Sequence, residues 1–139
     1  MTTQGTGYRK PIPYADELSK AYWKGAQRGE ILVQECKACG HRQFYPRTLC
    51  VKCWSRDLEW LRCAGTGTVH SFTATYQNQQ PGFREELPYI FALIDLDEGP
   101  RMTANIVGAK PEQVKIGLRV AAVFDWISSE IRLPRFRLV

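Results

Sequence analysis

The chain has 139 residues, room for one full-sized core or for a small domain plus a metal-stabilised module, and too few for two full cores. With 44% hydrophobic, 12% aromatic and 24% charged residues it has the composition of an ordinary globular protein, which excludes a disordered or fibrous chain. The formal net charge is +5, and the excess sits in the first half: residues 1–62 hold 11 Lys/Arg against 6 Asp/Glu, and residues 63–139 hold 8 of each.

Residues 1–13 are small and polar, with Gly5, Gly7, Pro11 and Pro13, and read as a mobile or partner-ordered arm. They lack the apolar stretch of a signal peptide, and no later run approaches the roughly 20 apolar residues of a membrane span, so a cytoplasmic protein with no membrane association is expected. From Asp16 to Arg28, Leu18, Ala21, Tyr22, Gly25 and Ala26 follow the spacing of one helix face, and Gly29 is placed to end the helix. Tyr22, with Trp23 beside it, is a large aromatic payload for so short a helix.

Ile31 to Val33 predict a short strand leading to Cys36, Gln43 to Tyr45 a second, and Leu58 to Leu61 a third. Between them stand Cys36-Lys37-Ala38-Cys39-Gly40-His41 and Cys50-Val51-Lys52-Cys53, two C-x2-C pairs. Two residues between cysteines let both sulfurs of a tight turn reach one ion about 2.3 Å away, and two such knuckles supply four tetrahedral ligands. Cys36, Cys39, Cys50 and Cys53 are therefore the candidate ligands of one structural zinc per chain. Four thiolates leave no coordination position for water, so this site is structural and not catalytic. Gly40 suits the positive φ of such a knuckle. If the site binds zinc, the net charge falls from +5 to +3.

After Cys63 the signals are those of strands: Gly67 to Tyr76, Tyr89 to Leu96, Arg101 to Val107, Leu118 to Trp126 and Ile131 to Leu138. The first alternates, with Val69, Ser71 and Thr73 on one face and Thr68, His70 and Phe72 on the other. Gln77 to Pro88 reads as a long connection, Asp97 to Pro100 as a turn, and Lys110 to Val114 as one short helical turn. Five strands with that turn between the third and fourth suit a five-stranded OB-fold barrel, and an open sheet packed on the ribbon is the competing arrangement. The expected fold is thus mainly β: an N-terminal arm and helix over residues 1–29, a rubredoxin-like zinc ribbon over 30–62 and an OB-fold over 63–139.

Cys63 lies outside both knuckles and reads as a packed small residue. No nucleophile elbow, P-loop or dinucleotide glycine pattern is present, so a self-sufficient enzyme is not indicated. Catalysis through Cys63 or an acid near Asp97 is the minority alternative.

Cys36 to Cys53, Phe44-Tyr45-Pro46-Arg47, Gly65-Thr66-Gly67-Thr68-Val69, Leu96-Asp97-Glu98-Gly99 and Ile116-Gly117, taken in this order, resemble the zinc-ribbon plus OB-fold family known as domain of unknown function thirty-five. Val51 and Tyr45 depart from the family pattern, which often has proline after the third cysteine and a Phe-Pro-Pro-Arg run. The resemblance implies an accessory subunit of an acyl-CoA enzyme, joined in a hetero-oligomer to a thiolase-fold protein such as a thiolase or retro-aldolase, or to a hydratase. A CoA thioester at the interface is part of that implication. Tyr22, Trp23, Arg42, Arg47 and Lys52 are the candidate partner or CoA contacts, with Lys37 and Arg56 as further cations on the ribbon. The alternative is a single-stranded nucleic-acid-binding module that uses Phe72, Tyr76, Tyr89 and Phe91 as stacking platforms. The formal neutrality of residues 63–139 counts against it, because phosphate contacts dominate such affinity.

Overall fold

The computed structural model describes residues 8–139; residues 1–7 of the expected arm lie outside them. Helix α1 (Lys20–Gln27) begins four residues later than the apolar spacing suggests. Asp16 Oδ1 accepts hydrogen bonds from the Ser19 N–H and hydroxyl, both at 2.8 Å, and this local turn competes with helix until Ser19 caps α1. At the other end Gly29 takes φ +79°, and the N–H groups of Gly29 and Glu30 donate to the carbonyls of Ala26 and Gly25. That is the glycine stop anticipated from the sequence.

The ribbon sheet has three antiparallel strands in the order β2-β1-β3, formed by β1 (Ile31–Cys36), β2 (Arg42–Gln43) and β3 (Leu58–Cys63). Strand β1 is an almost continuous buried run because both its faces are covered. Ile31 and Val33 enter the same core as the barrel residues, while Leu32 lies under α1, where a Cβ on Gly25 would come within 2.8 Å of it. One short strand therefore joins helix, ribbon and barrel.

The barrel is formed by β4 (Thr66–Thr75), β5 (Tyr89–Leu96), β6 (Arg101–Ile106), β7 (Arg119–Trp126) and β8 (Arg132–Leu138), closed in the order β4-β5-β6-β8-β7. Only the β6–β8 pairing, with Ile106 opposite Phe136, is parallel. The open-sheet arrangement does not occur. The short turn anticipated before β7 is present as a 3-10 turn at Pro111–Gln113, and a second one, at Arg84–Glu86, interrupts the long connection. Fully buried Ile90, Ile94, Val69, Val120 and Phe136 fill the interior.

Strict alternation along β4 fails at one point. Val69 pairs with Ile94 and Ser71 with Leu93, so His70 is the extra residue of a β-bulge. The bulge turns both Val69 and Phe72 toward the core, where alternation sets them on opposite faces, and it leaves His70 exposed with Nδ1 3.3 Å from Asp95 Oδ2.

Outside the core, polar ties fix the ends. Asp97 receives both Arg119 guanidinium N–H groups, at 2.7 and 2.8 Å, and the Thr66 hydroxyl at 2.5 Å, which links the β5–β6 turn to the starts of β4 and β7. The described part of the arm lies against the 77–88 connection through Arg9–Glu85 (2.9 Å) and Lys10–Glu86 (2.6 Å). No helix among the described residues is long and apolar enough to cross a membrane.

Gly67 approaches β5 so closely that a Cβ would stand 2.6 Å from the Asp95 carbonyl oxygen. Gly67→Ala is expected to cost about 1–3 kcal/mol in denaturant unfolding, since backbone and not a flexible side chain must move. The Arg119 and Thr66 hydrogen bonds hold the Asp97 carboxyl down at about 2, from its usual 3.8. A depressed acid stabilises fully above its unfolded value, here above about pH 4, and loses that contribution as pH falls through about 2. Asp97→Asn should flatten this part of the stability curve, measured by unfolding between about pH 2 and 5.

Candidate metal centre and aromatic cleft

The two cysteine pairs occupy turns of the same construction. In the first, the Cys36 carbonyl accepts from the Gly40 N–H at 2.8 Å, and the Cys36 N–H donates to the His41 carbonyl at 2.8 Å. In the second, the Cys50 carbonyl accepts from Trp54 at 2.9 Å, and the Cys50 N–H donates to Ser55 at 2.8 Å. The residue after the second cysteine has positive φ in both, +82° at Gly40 and +69° at Trp54.

These turns bring the sulfurs of Cys36, Cys39, Cys50 and Cys53 within 4.8 Å of one another. Cys36 and Cys53 Sγ are 3.6 Å apart, and Cys39 and Cys50 Sγ 3.7 Å. A tetrahedron with metal–sulfur bonds of about 2.3 Å has edges of about 3.8 Å, so the donor set fits one tetrahedral ion. Cys36 and Cys50 are buried, Cys39 and Cys53 exposed. Burial opposes ionisation of Cys50, but the N–H groups of Cys53 and Lys52 and the neighbouring sulfurs outweigh it and bring that thiol down to about 6. At Cys53 the Ser55 N–H favours the thiolate, yet desolvation and the three other sulfurs prevail and push it up to about 12. Without a cation the four sulfurs compete for ionisation, and a dication removes the conflict.

Two residues outside the cysteine motif hold the second knuckle in place. Buried Gln34 accepts from the Arg47 N–H (2.9 Å) and donates to the Arg47 carbonyl (3.0 Å). Buried Gln43 donates to Gln34 Oε1 (2.8 Å), and its Oε1 accepts from the Val51 N–H (3.1 Å). A glutamine directly after the apolar run Ile31-Leu32-Val33 is the sequence signal for this staple, since a buried amide needs partners. His41 contributes a backbone carbonyl, and the sulfur tetrad is complete without its ring.

Beside the ribbon, a cleft of about 370 Å³ opens where α1, the 44–46 segment and the barrel wall meet. Its walls include Trp23, Tyr22, Phe44, Tyr45, Phe91 and Leu133. The first four rings stack edge to face in sequence, with centroids 5.0 Å (Trp23–Tyr22), 5.5 Å (Tyr22–Phe44) and 4.8 Å (Phe44–Tyr45) apart, a favoured aromatic geometry. The Tyr45 hydroxyl reaches Thr103 Oγ1 of β6 at 3.1 Å, tying ribbon to barrel. Tyr22 is thus a buried wall residue, 8% exposed, and burial drives its phenol well above its usual range.

The candidate contact residues are not all alike. Arg42 is engaged with Glu35 (2.9 Å) and with the Glu98 carbonyl of the barrel (3.1 Å). Lys37 faces Glu35 and Glu59. Arg47, Lys52 and Arg56 are exposed and form no ion pair among the described residues. Cys63 is buried in the core, and desolvation followed by the charge of Glu98 raises its thiol to about 12. It is neutral near pH 7, the wrong state for a nucleophile. Asp97 is committed to Arg119 and Thr66 and holds no proton there.

Elemental analysis is expected to find one metal ion per chain. Cys50→Ser removes a buried ligand and should lower the metal content of the purified protein to well under about half an ion per chain, with loss of ribbon protection in hydrogen exchange.

Residues 23–59 match the family model of the rubredoxin-like zinc ribbon domain of ChsH2, and residues 60–125 that of the ChsH2 C-terminal OB-fold domain. A probable enoyl-CoA hydratase alpha subunit of Thermomonospora curvata is 34% identical over 99% of this chain, which spans 42% of that protein's length. A DUF35 domain-containing scaffold protein of Methanocaldococcus jannaschii is 33% identical over 83% of this chain and 82% of its own. The benzoylsuccinyl-CoA thiolase subunit BbsA of Geobacter metallireducens is 40% identical over 52% of this chain and 47% of its own. Among solved structures, an Ltp2-ChsH2(DUF35) aldolase chain superposes with a TM-score of 0.82 at 31% identity, covering 91% of this chain and 98% of that one. The chain belongs to the DUF35 family, in which a ChsH2-type rubredoxin-like zinc ribbon is joined to an OB-fold.

Proposed function

We propose that this chain is a non-catalytic accessory subunit that binds a thiolase-fold acyl-CoA enzyme in a hetero-oligomer and helps to shape or bridge its acyl-CoA site. The observation that carries this reading is the aromatic cleft. Three separate parts of the chain build one apolar hollow with a few polar groups at its edge, the usual character of a site for a small molecule or a partner's side chains. The relatives' names place similar chains in a thiolase, a hydratase and an aldolase, and one similar protein is named a scaffold.

In this reading residues 1–29, 30–62 and 63–139 act as arm and helix, ribbon and barrel. The ribbon holds one structural zinc on Cys36, Cys39, Cys50 and Cys53; zinc suits a filled thiolate tetrahedron that does no redox work. The partner supplies nucleophile and acid–base groups, and this chain supplies position, since a misplaced group costs rate even when the chemistry lies elsewhere. Trp23 and Tyr45 on the cleft wall, with Arg47 and Lys52 on the ribbon, are the proposed contacts; buried Tyr22 supports them from within, and exposed Arg42 by tying the ribbon to the Glu98 carbonyl.

The test is purification of the tagged chain from its host after nuclease treatment, followed by acyl-CoA turnover assays of the recovered complex. A stoichiometric thiolase-fold enzyme is expected, with kcat/KM lowered at least about tenfold by Tyr45→Ala in the cleft wall. Nuclease-sensitive retention, with salt-dependent binding of single strands and no such enzyme, would instead support a nucleic-acid module.

A further inference from the structure

The second knuckle carries a residue that its own fold does not want. The turn after each C-x2-C pair requires positive φ, and the first knuckle meets the requirement with Gly40. The second places Trp54 at φ +69°, the only described non-glycine residue in that region. A bulky side chain there is strained, because its Cβ crowds the adjoining carbonyl. Such strain persists where surrounding structure or function requires it.

Nothing among the described residues requires a tryptophan there. The Trp54 side chain is 76% exposed, and among the described residues it has no ring partner and no hydrogen bond; only its backbone N–H is used, in the turn. Val51, within the same knuckle, is also exposed, at 48%. The cations that flank it in sequence are equally unspent. Lys37 and Arg42 meet Glu35, and Arg28 and Arg62 meet Glu30, whereas Arg47, Lys52 and Arg56, which bracket Trp54 in the chain, have no carboxylate partner among the described residues.

We infer that Trp54 is the anchor of a protein-docking surface, and that it enters an apolar pocket whose rim is acidic and meets Arg47, Lys52 and Arg56. Tryptophan is among the residues most often found to dominate interface energy when seated in a desolvated pocket, and rim charges of opposite sign steer and orient the encounter. A partner protein fits better than a nucleic-acid strand. Strand binding uses successive aromatic platforms along a basic groove, and here the Trp54 ring has no ring partner among the described residues. This inference deepens the accessory-subunit reading by naming a contact surface, and it rests on that reading only for the identity of the partner.

The test puts a benzophenone amino acid in place of Trp54 in the full chain in its host. Irradiated products are identified by mass spectrometry, and affinities of the purified cross-linked protein for wild type and Trp54→Gly are compared. The expected result is a cross-link to a second protein at an apolar segment flanked by Asp or Glu, with Trp54→Gly weakening binding at least about tenfold. Because glycine adopts φ +69° freely, this variant should keep its metal and its unfolding midpoint. A midpoint lowered by more than about 4 °C would show that Trp54 packs for stability and would overturn the inference. So would cross-links only to nucleic acid or to a second copy of this chain, or unchanged affinity. If a thiolase-fold enzyme co-purifies but position 54 never reaches a protein, this inference fails and the functional reading stands. If position 54 docks on an unrelated protein, with the tenfold loss, the inference stands and the functional reading fails.

Discussion

Four cysteine sulfurs within 4.8 Å cannot all be thiolates unless a cation lies among them, and much of the remaining architecture depends on that constraint. The ribbon between Glu30 and Arg62 has little core of its own, so metal binding worth roughly 10–16 kcal/mol decides whether it folds. The ribbon's influence extends beyond the knuckles. Strand β1 ends at the first ligand, Cys36, and begins with Ile31 and Val33 inside the core shared with the barrel. The same strand carries Gln34, which with Gln43 fixes the backbone at Arg47 and Val51, on either side of Cys50. Ion, glutamine staple and core insertion act along one line.

The cleft inherits this order. Phe44 and Tyr45 follow directly from β2, and their rings complete a stack that starts on α1 with Trp23 and Tyr22. The Tyr45 hydroxyl, meeting Thr103, and the Arg42 guanidinium, meeting the Glu98 carbonyl, fix the ribbon side of the cleft to the barrel. A structural metal with no open coordination position can therefore bear on function indirectly, by setting where an aromatic wall stands. Under the proposed accessory-subunit reading, such rigidity is the useful property.

Much of this could be read from the sequence, for identifiable reasons. The doubled C-x2-C spacing encodes a tetrahedral donor set in the chain itself, and β-rich segments with polar turns encode the barrel strands. What escaped depended on contacts distant in sequence or on local competition. Helix α1 starts at Lys20 because the Asp16–Ser19 turn outcompetes the first turn of helix, a contest that apolar spacing does not register. The bulge at His70 breaks the alternation that placed Val69 and Phe72 on opposite faces. Arg42 looked like one more ribbon cation, yet Glu35 and the distant Glu98 carbonyl occupy it. Tyr22 stood on the apolar helix face and among the candidate contacts, and Phe44, 22 residues later, covers it. The left-handed Trp54 was visible only as a tryptophan where the first knuckle has glycine.

The central claim is that metal holds the ribbon and that the ribbon holds the aromatic wall, while the barrel strands, which supply most of the core that Ile31 and Val33 enter, stay folded without the metal. Hydrogen exchange read by mass spectrometry on metal-loaded and metal-stripped protein tests it most directly. The account predicts that stripping removes protection from 31–36 and 42–47 while β5, at 89–96, keeps it. Protection of 42–47 that survives without metal, or loss in β5 simultaneous with loss in the ribbon, would contradict the account.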